Sequence, residues 1–135
     1  MKHFNVVCAV VVNDGKVLCM QKGKTKYDYT SHRWEFPGGK IEEGETPQQA
    51  LHRELIEEMD YDVVVGKHVV TIHHTYPDFS ITMEAFLCNA PTRTFRMKEH
   101  AASQWVEPKM LHEIEWCAAD GPIADAVAHV LLSKD

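Results

Sequence analysis

The 135-residue chain has no Cys-x-x-Cys pair, no internal repeat, no low-complexity stretch and no excess of basic residues. Its cysteines, Cys8, Cys19, Cys88 and Cys117, are scattered, and the first three lie in apolar, strand-like runs. That spacing argues against a disulfide framework or a zinc knuckle and fits buried free thiols in a reducing cytosol. With 14 Lys and Arg against 20 Asp and Glu, the formal charge of -6 argues against a broad surface for polymeric nucleic acid. It leaves open a small phosphorylated substrate, because a bound divalent metal changes the local sign of the potential. The opening run, MKHFNVVCAVVVNDG, is too short to span a bilayer and is followed by no small-residue cleavage site. The expectation is a cytoplasmic protein with no membrane partner, a monomer or homodimer, forming one domain over residues 1–135. At 44% apolar and 25% charged residues its composition is that of ordinary globular material.

What is present reads as alternating strand and helix signals. Asn5 to Val12 and Lys16 to Met20 read as two strands joined by the turn Asn13-Asp14-Gly15. Residues 21–33 read as a polar surface loop, and Trp34-Glu35-Phe36 as a short strand broken by Pro37-Gly38-Gly39. Thr46, Pro47 and Gln49 mark a helix start with a capping box, and the helix runs to about Met59. Extended segments follow at Tyr61 to His74 and Phe79 to Cys88, separated by the turn Tyr76-Pro77-Asp78. A polar connection, a strand near Ser103 to Val106, a short helix at Pro108 to Ile114 and an amphipathic helix from Asp120 to Leu132 complete the chain. This pattern predicts an α/β (α+β) fold, a mixed sheet sandwiched between helices.

The chemistry concentrates between Gly39 and Tyr61. Offsets of three and four residues bring Glu54, Glu57 and Glu58 to one side of the helix, and place Leu51, Leu55, Ile56 and Met59 on the opposite side. Each like-charge pair at that spacing costs a few tenths of a kcal/mol, so the cluster calls for a compensating cation. Carboxylates around open coordination positions are how proteins hold Mg²⁺ against substrate phosphates.

The segment resembles the signature of the Nudix hydrolases: Gly, five residues, Glu, seven residues, Arg-Glu, an aliphatic residue, any residue, Glu-Glu, any residue, Gly, then an apolar residue. Gly39, Glu45, Arg53, Glu54, Leu55, Glu57, Glu58 and Tyr61 fill that pattern, while Asp60 stands where the family has Gly. Asp tolerates the left-handed helix-ending conformation of that Gly better than most residues, at some cost. WEFPGGKIEEGETPQQA, Tyr76-Pro77-Asp78 and CAADGPIADAV look like the MutT-type subgroup. The resemblance implies the Nudix fold and cleavage of nucleoside triphosphates to monophosphate and pyrophosphate, with Mg²⁺ (or Mn²⁺) as cofactor. Some such enzymes act on oxidised purine nucleotides such as 8-oxo-dGTP; others prefer CTP and modified pyrimidine nucleotides.

Carried onto this chain, the resemblance makes Glu57 and Glu58 core metal ligands and Glu54 either a ligand or the water activator. It adds the Gly38 carbonyl as a ligand, next to Gly39. Arg53 pairs with Glu54 or Glu45 and holds them, with Glu45 anchoring the loop. Glu99 is a further metal ligand or general base, or else a solvent-facing glutamate. Lys22 meets a phosphate or simply solubilises its loop. Phe36, Phe79, Met83 and Asp120 recognise the base, although Phe36 also fits a core position and Asp120 a helix N-cap.

Overall fold

The computed structural model describes residues 1–133. Strand β1 (Lys2–Asn13) and strand β2 (Lys16–Gln21) form a hairpin whose two-residue loop has positive φ at both Asp14 (51°) and Gly15 (74°). That is the turn whose twist matches a right-handed strand pair, which is why Asp-Gly suits it. The hairpin partners are in register only at Val12–Val17 and Asn13–Lys16. Beyond that point the two strands splay apart, and the segment after residue 33 fills the gap. Strand β3 (Trp34–Glu35) pairs with β2, and strand β4 (Gly38–Lys40) pairs with β1. Pro37-Gly38-Gly39 therefore does not end the strand signal; extended structure resumes on the other partner.

Helix α1 (Pro47–Met59) follows, with Thr46 and Gln49 forming the capping box in both directions. Strand β5 (Val64–Thr75) and strand β6 (Phe79–Asn89) are antiparallel, and β6 runs parallel to β1 along eleven residue pairs. Strand β7 (Ala102–Val106) pairs with β2; a 3₁₀ helix (Pro108–Glu113) and helix α2 (Asp120–Leu132) complete the described residues. The sheet has seven strands, mixed in direction.

Alternation along β1 sends Val7, Ala9 and Val11 to one face and Cys8 and Val10 to the other. The first face packs on Leu51, Leu55 and Met59 of α1, the second on Ile123, Ala124 and Val127 of α2. A sheet covered on both faces suits the near-continuous Val-rich run of β1. All four cysteines are free and buried. Among the described residues no helix is long and apolar enough to cross a membrane.

Candidate active site

Leucine packing fixes the rotation of α1, and with it the acids. At about 100° per residue, Glu58 projects within about 20° of Leu51, and Glu54 within about 60°. These two carboxylates thus lie at the border of the buried face, not opposite it. The Glu54 side chain is 13% exposed, whereas that of Glu57, projected farther out, is 59% exposed. Ile56, expected on the apolar side, points away from it and is 38% exposed; Ala50 is buried instead.

Arg53 organises the acidic group. Its Nε and Nη2 donate to Glu45 at 2.6 and 2.9 Å, and its Nη1 donates to Glu54 at 2.9 Å and to Glu57 at 3.1 Å. A further bond reaches the Lys40 carbonyl at 3.1 Å. The fork geometry favours such a two-point grip, and it holds the Glu45 carboxyl down at about 2. Glu45 also accepts from the Glu42 amide at 2.9 Å, so the loop ahead of α1 is tied to the helix through one guanidinium.

Beside the helix, Gly39 passes so close to Glu54 that an added Cβ would lie 2.1 Å from its Oε2. At Gly38 the same atom would lie 1.9 Å from the Val7 carbonyl oxygen. Backbone, carboxylate and strand β1 are in mutual contact there, and only residues without Cβ permit it. Burial, and after it Glu54 and Glu99, push the Glu58 carboxyl up to about 7. Among the described residues no three His, Cys, Asp or Glu side chains stand close enough, as placed, to hold an ion; Arg53 draws Glu54 and Glu57 toward itself.

From this acidic end a cleft of about 600 Å³ runs over β1, β4 and β6, beside the loop of residues 21–33. Lys22, Phe36, Gly38, Gly39, Glu58, Phe79, Met83, Glu99 and Asp120 line it. Arg53, Glu45, Glu54 and Glu57 do not; they stand behind or beside it. Phe36, for which base stacking and a core position were both open, is only 2% exposed and stacks on Trp116 at 4.5 Å, a core placement that still lets it line the cleft. Phe79 sits in a cluster with Phe4, Tyr27 and Tyr76, its ring 4.9–5.8 Å from theirs. Asp120 is buried and caps no helix by its side chain; its Oδ2 instead accepts the Phe36 amide at 3.0 Å. Burial, and then the nearby Glu35, push its carboxyl well above the usual range.

Two polar residues of the cleft, Glu35 and His100, escape a reading of the sequence. Glu35 accepts from His100 Nε2 at 2.9 Å and lies 3.7 Å from Lys22 Nζ. The His100 side chain is 7% exposed. The only sequence signal for Glu35 is a charged residue between two aromatic ones, and His100 carries none beyond its place beside Glu99. The loop of residues 21–33, expected as a polar surface loop with Lys22 its one candidate contact, supplies a wall of the cleft through Thr25, Tyr27 and Thr30 as well.

The NUDIX domain matches residues 1–127, and the chain belongs to that family. It is 33% identical to a CTP pyrophosphohydrolase of Escherichia coli (strain K12) over 126 residues, 93% of this chain and 92% of that protein. It is 54% identical to an 8-oxo-dGTP diphosphatase of Proteus vulgaris over 54 residues, 40% of this chain and 48% of that protein. The solution structure of the MutT protein of methicillin-resistant Staphylococcus aureus 252 superposes with a TM-score of 0.75 at 33% identity, covering 96% of this chain and 99% of that one. The chain is a MutT-like Nudix hydrolase, and enzymes of this family generally need divalent metal ions.

Proposed function

We propose that this enzyme hydrolyses nucleoside triphosphates to nucleoside monophosphate and pyrophosphate with Mg²⁺ (Mn²⁺ serving as well), acting on oxidised or modified nucleotides such as 8-oxo-dGTP. One observation carries the reading. A single cleft joins an acidic, glycine-backed end to an aromatic end closed by a buried acid, the two halves a nucleotide needs.

The donors at the acidic end fit a hard divalent cation. Glu54, Glu57, Glu58, Glu99 and the Gly38 carbonyl offer only oxygen, the ligand type such ions take. Burial first, and then the charges of Glu54 and Glu99, disfavour an ionised Glu58, and a bound cation would offset both. A divalent ion held by Glu54, Glu57, Glu58 and the Gly38 carbonyl would supply positive charge to offset that of the polyphosphate and of the phosphoryl group in transit. Glu54 or Glu99 orients the attacking water and takes its proton on a carboxylate oxygen. Arg53 keeps Glu54 and Glu57 from collapsing onto other partners, and Glu45 holds Arg53. Lys22, half-buried at the cleft wall, meets a phosphate oxygen.

At the other end, Phe79 with Tyr27 supplies the stacking wall and Met83 the floor. A protonated Asp120 both donates and accepts, and so matches the altered hydrogen-bonding edge of an oxidised guanine. A second reading, preference for CTP or 5-methyl-dCTP, is favoured by the relative matched over 93% of the chain. Ionised Asp120 would then accept from the exocyclic amine. The site suits a compact enzyme that acts on free nucleotides in the cytoplasm.

Steady-state comparison of 8-oxo-dGTP, dGTP, CTP, dCTP and 5-methyl-dCTP, with products resolved, separates the two readings. Release of phosphate and nucleoside diphosphate, or turnover indifferent to Mg²⁺ removal, would overturn both.

A further inference from the structure

The residue that departs from the signature, Asp60, stands at the junction of two segments of the site. It ends α1 in the left-handed conformation, φ 49°, with its amide donating to the Ile56 carbonyl at 3.0 Å. Its carboxylate faces the connection between β6 and β7: Lys98 Nζ lies 3.1 Å from Oδ1 and Arg96 Nη1 3.5 Å from Oδ2. The same connection closes the end of the helix from outside. The Arg96 amide donates to the Met59 carbonyl at 2.8 Å, and Lys98 Nζ to the Glu57 carbonyl at 3.0 Å. Carbonyls in the last turn have no partner inside a helix, so the loop supplies what α1 lacks.

On its far side the loop is tied again. His100 donates to Glu35 at 2.9 Å, and the Ala101 amide to the Gln21 carbonyl at 2.8 Å. Glu99, a cleft-lining residue, is the one position between the two sets of ties. A glycine at position 60 would adopt the left-handed conformation with less strain but would offer no carboxylate.

We propose that Asp60 is a positioning residue: by gripping Lys98 and Arg96 it locks the loop to the end of α1 and so fixes Glu99 relative to Glu57 and Glu58. The proposal rests on the reading of Glu99 as a group that touches metal or attacking water. Conformational ease at position 60 is given up in exchange for a fixed distance between two parts of one site.

Substitution at Asp60 separates positioning from folding, because the two effects have opposite signs. Asp60→Gly relieves the left-handed strain, so its thermal midpoint should equal or exceed that of the natural protein. Its kcat should fall by roughly three- to tenfold, with KM little changed, since the ion pairs are exposed and individually weak. Asp60→Asn, which tolerates the same φ, should lower kcat likewise, guarding against an unforeseen effect of glycine. In a Glu99→Gln background Asp60→Gly should produce no further loss, because residues acting through one another are not additive. If Asp60→Gly and Asp60→Asn retain full kcat while Glu99→Gln is impaired, the lock is wrong and the reading of Glu99 stands. If Glu99→Gln is fully active, the reading of Glu99 fails and the lock falls with it. A parallel loss of kcat and thermal midpoint in both Asp60 variants would assign Asp60 to folding alone and overturn the proposal.

Discussion

Gly38 and Gly39 are neighbours in sequence, yet a methyl group added to each meets a different part of the molecule. At Gly38 it would lie 1.9 Å from Val7 O, 2.7 Å from Cys8 Cα and 2.9 Å from Val7 C. All three atoms are backbone of β1, so the Cys8–Gly38 pairing has to open. Overpacking costs about 1–3 kcal/mol and each lost hydrogen bond about 1 more, a total of roughly 3 kcal/mol or above. For a chain of this size that is a fall in Tm of roughly 10 °C. At Gly39 the three atoms nearest the added carbon all belong to the Glu54 side chain: 2.1 Å to Oε2, 2.3 Å to Cδ and 2.9 Å to Cγ. The carboxylate swings aside and gives up its 2.9 Å bond from Arg53. That loss, about 1.5–3 kcal/mol, is offset by about 0.4–1 kcal/mol from the stiffer unfolded chain. Gly39→Ala should therefore melt only a few degrees low while losing on the order of 10²-fold in kcat, the usual cost of misplacing a reacting group by about 1 Å. Thermal melts by circular dichroism and product-resolved kinetics on both variants test this. Near-natural turnover in Gly39→Ala would refute the role given to Glu54. A Gly39→Ala melt lower than that of Gly38→Ala would refute the close approach of β4 to β1.

Glu58 and Glu45 set opposite pH slopes. The folded protein lifts Glu58 from an ordinary 4.5 to about 7 and so keeps a proton that the unfolded chain releases. Stability of the metal-free protein should thus fall as pH rises through about 4.5–7, by on the order of 1 kcal/mol after allowance for solvent screening. Denaturant titrations across that range, repeated on Glu58→Gln, should show a shallower slope, the remainder coming from the raised Asp120 carboxyl, while Mg²⁺-dependent turnover is lost; an unchanged slope would refute the shift assigned to Glu58. Glu45, held at about 2 by Arg53, contributes stability above 4.5 that is lost as pH falls toward 2, and Glu45→Gln should remove that acid-limb loss from the same titrations. Asp120→Ala leaves the Phe36 amide without its acceptor and should cost about 1–3 kcal/mol in urea unfolding, while Asp120→Asn keeps the fold and shifts the ratio of kcat/KM between 8-oxo-dGTP and CTP. Burial drives the Cys19, Cys88 and Cys117 thiols up to about 12 and Cys8 well above its ordinary value. No thiol should react with an aromatic disulfide reagent in the native state and four should react in guanidinium; rapid native reaction would contradict the core assignment.

Features written in neighbouring residues are legible in the sequence. Thr46, Pro47 and Gln49 announce their helix because a capping box is a bond between residues three apart. Asp14-Gly15 announces its hairpin because both residues adopt positive φ readily. The register of β1 against β6 joins positions nearly eighty apart, such as Lys2 and Phe79, and parallel pairing leaves no turn to mark it. Strand β4 is hidden for a related reason: Gly-Gly is a poor strand former, and only the splay of β1 from β2 makes room for it. The bond between Glu35 and His100 depends on β3 and β7 both pairing with β2 and has no local trace. Ile56 departs from its expected side because hydrophobicity alone does not set the apolar arc. The turn of the helix is decided by Leu51, Leu55 and Met59 meeting β1, and Ile56 lies beyond the edge of that contact.

The same contact explains how the site stays accurate under repulsion. Each of those three side chains stabilises the fold by about 1.5–3 kcal/mol when fully buried, and together they outweigh the crowding of Glu54, Glu58 and Glu99. Turning α1 enough to carry Glu58 into solvent would swing Leu51, which projects within about 20° of it, out of the sheet as well, at a cost larger than the relief. The core thus imposes the position of the acids and keeps Glu58 where burial and the neighbouring carboxylates disfavour its charge. Glu58→Leu should accordingly raise the stability of the metal-free protein while ending turnover. A less stable Glu58→Leu would mean that helix packing does not hold Glu58 where it is unfavourable.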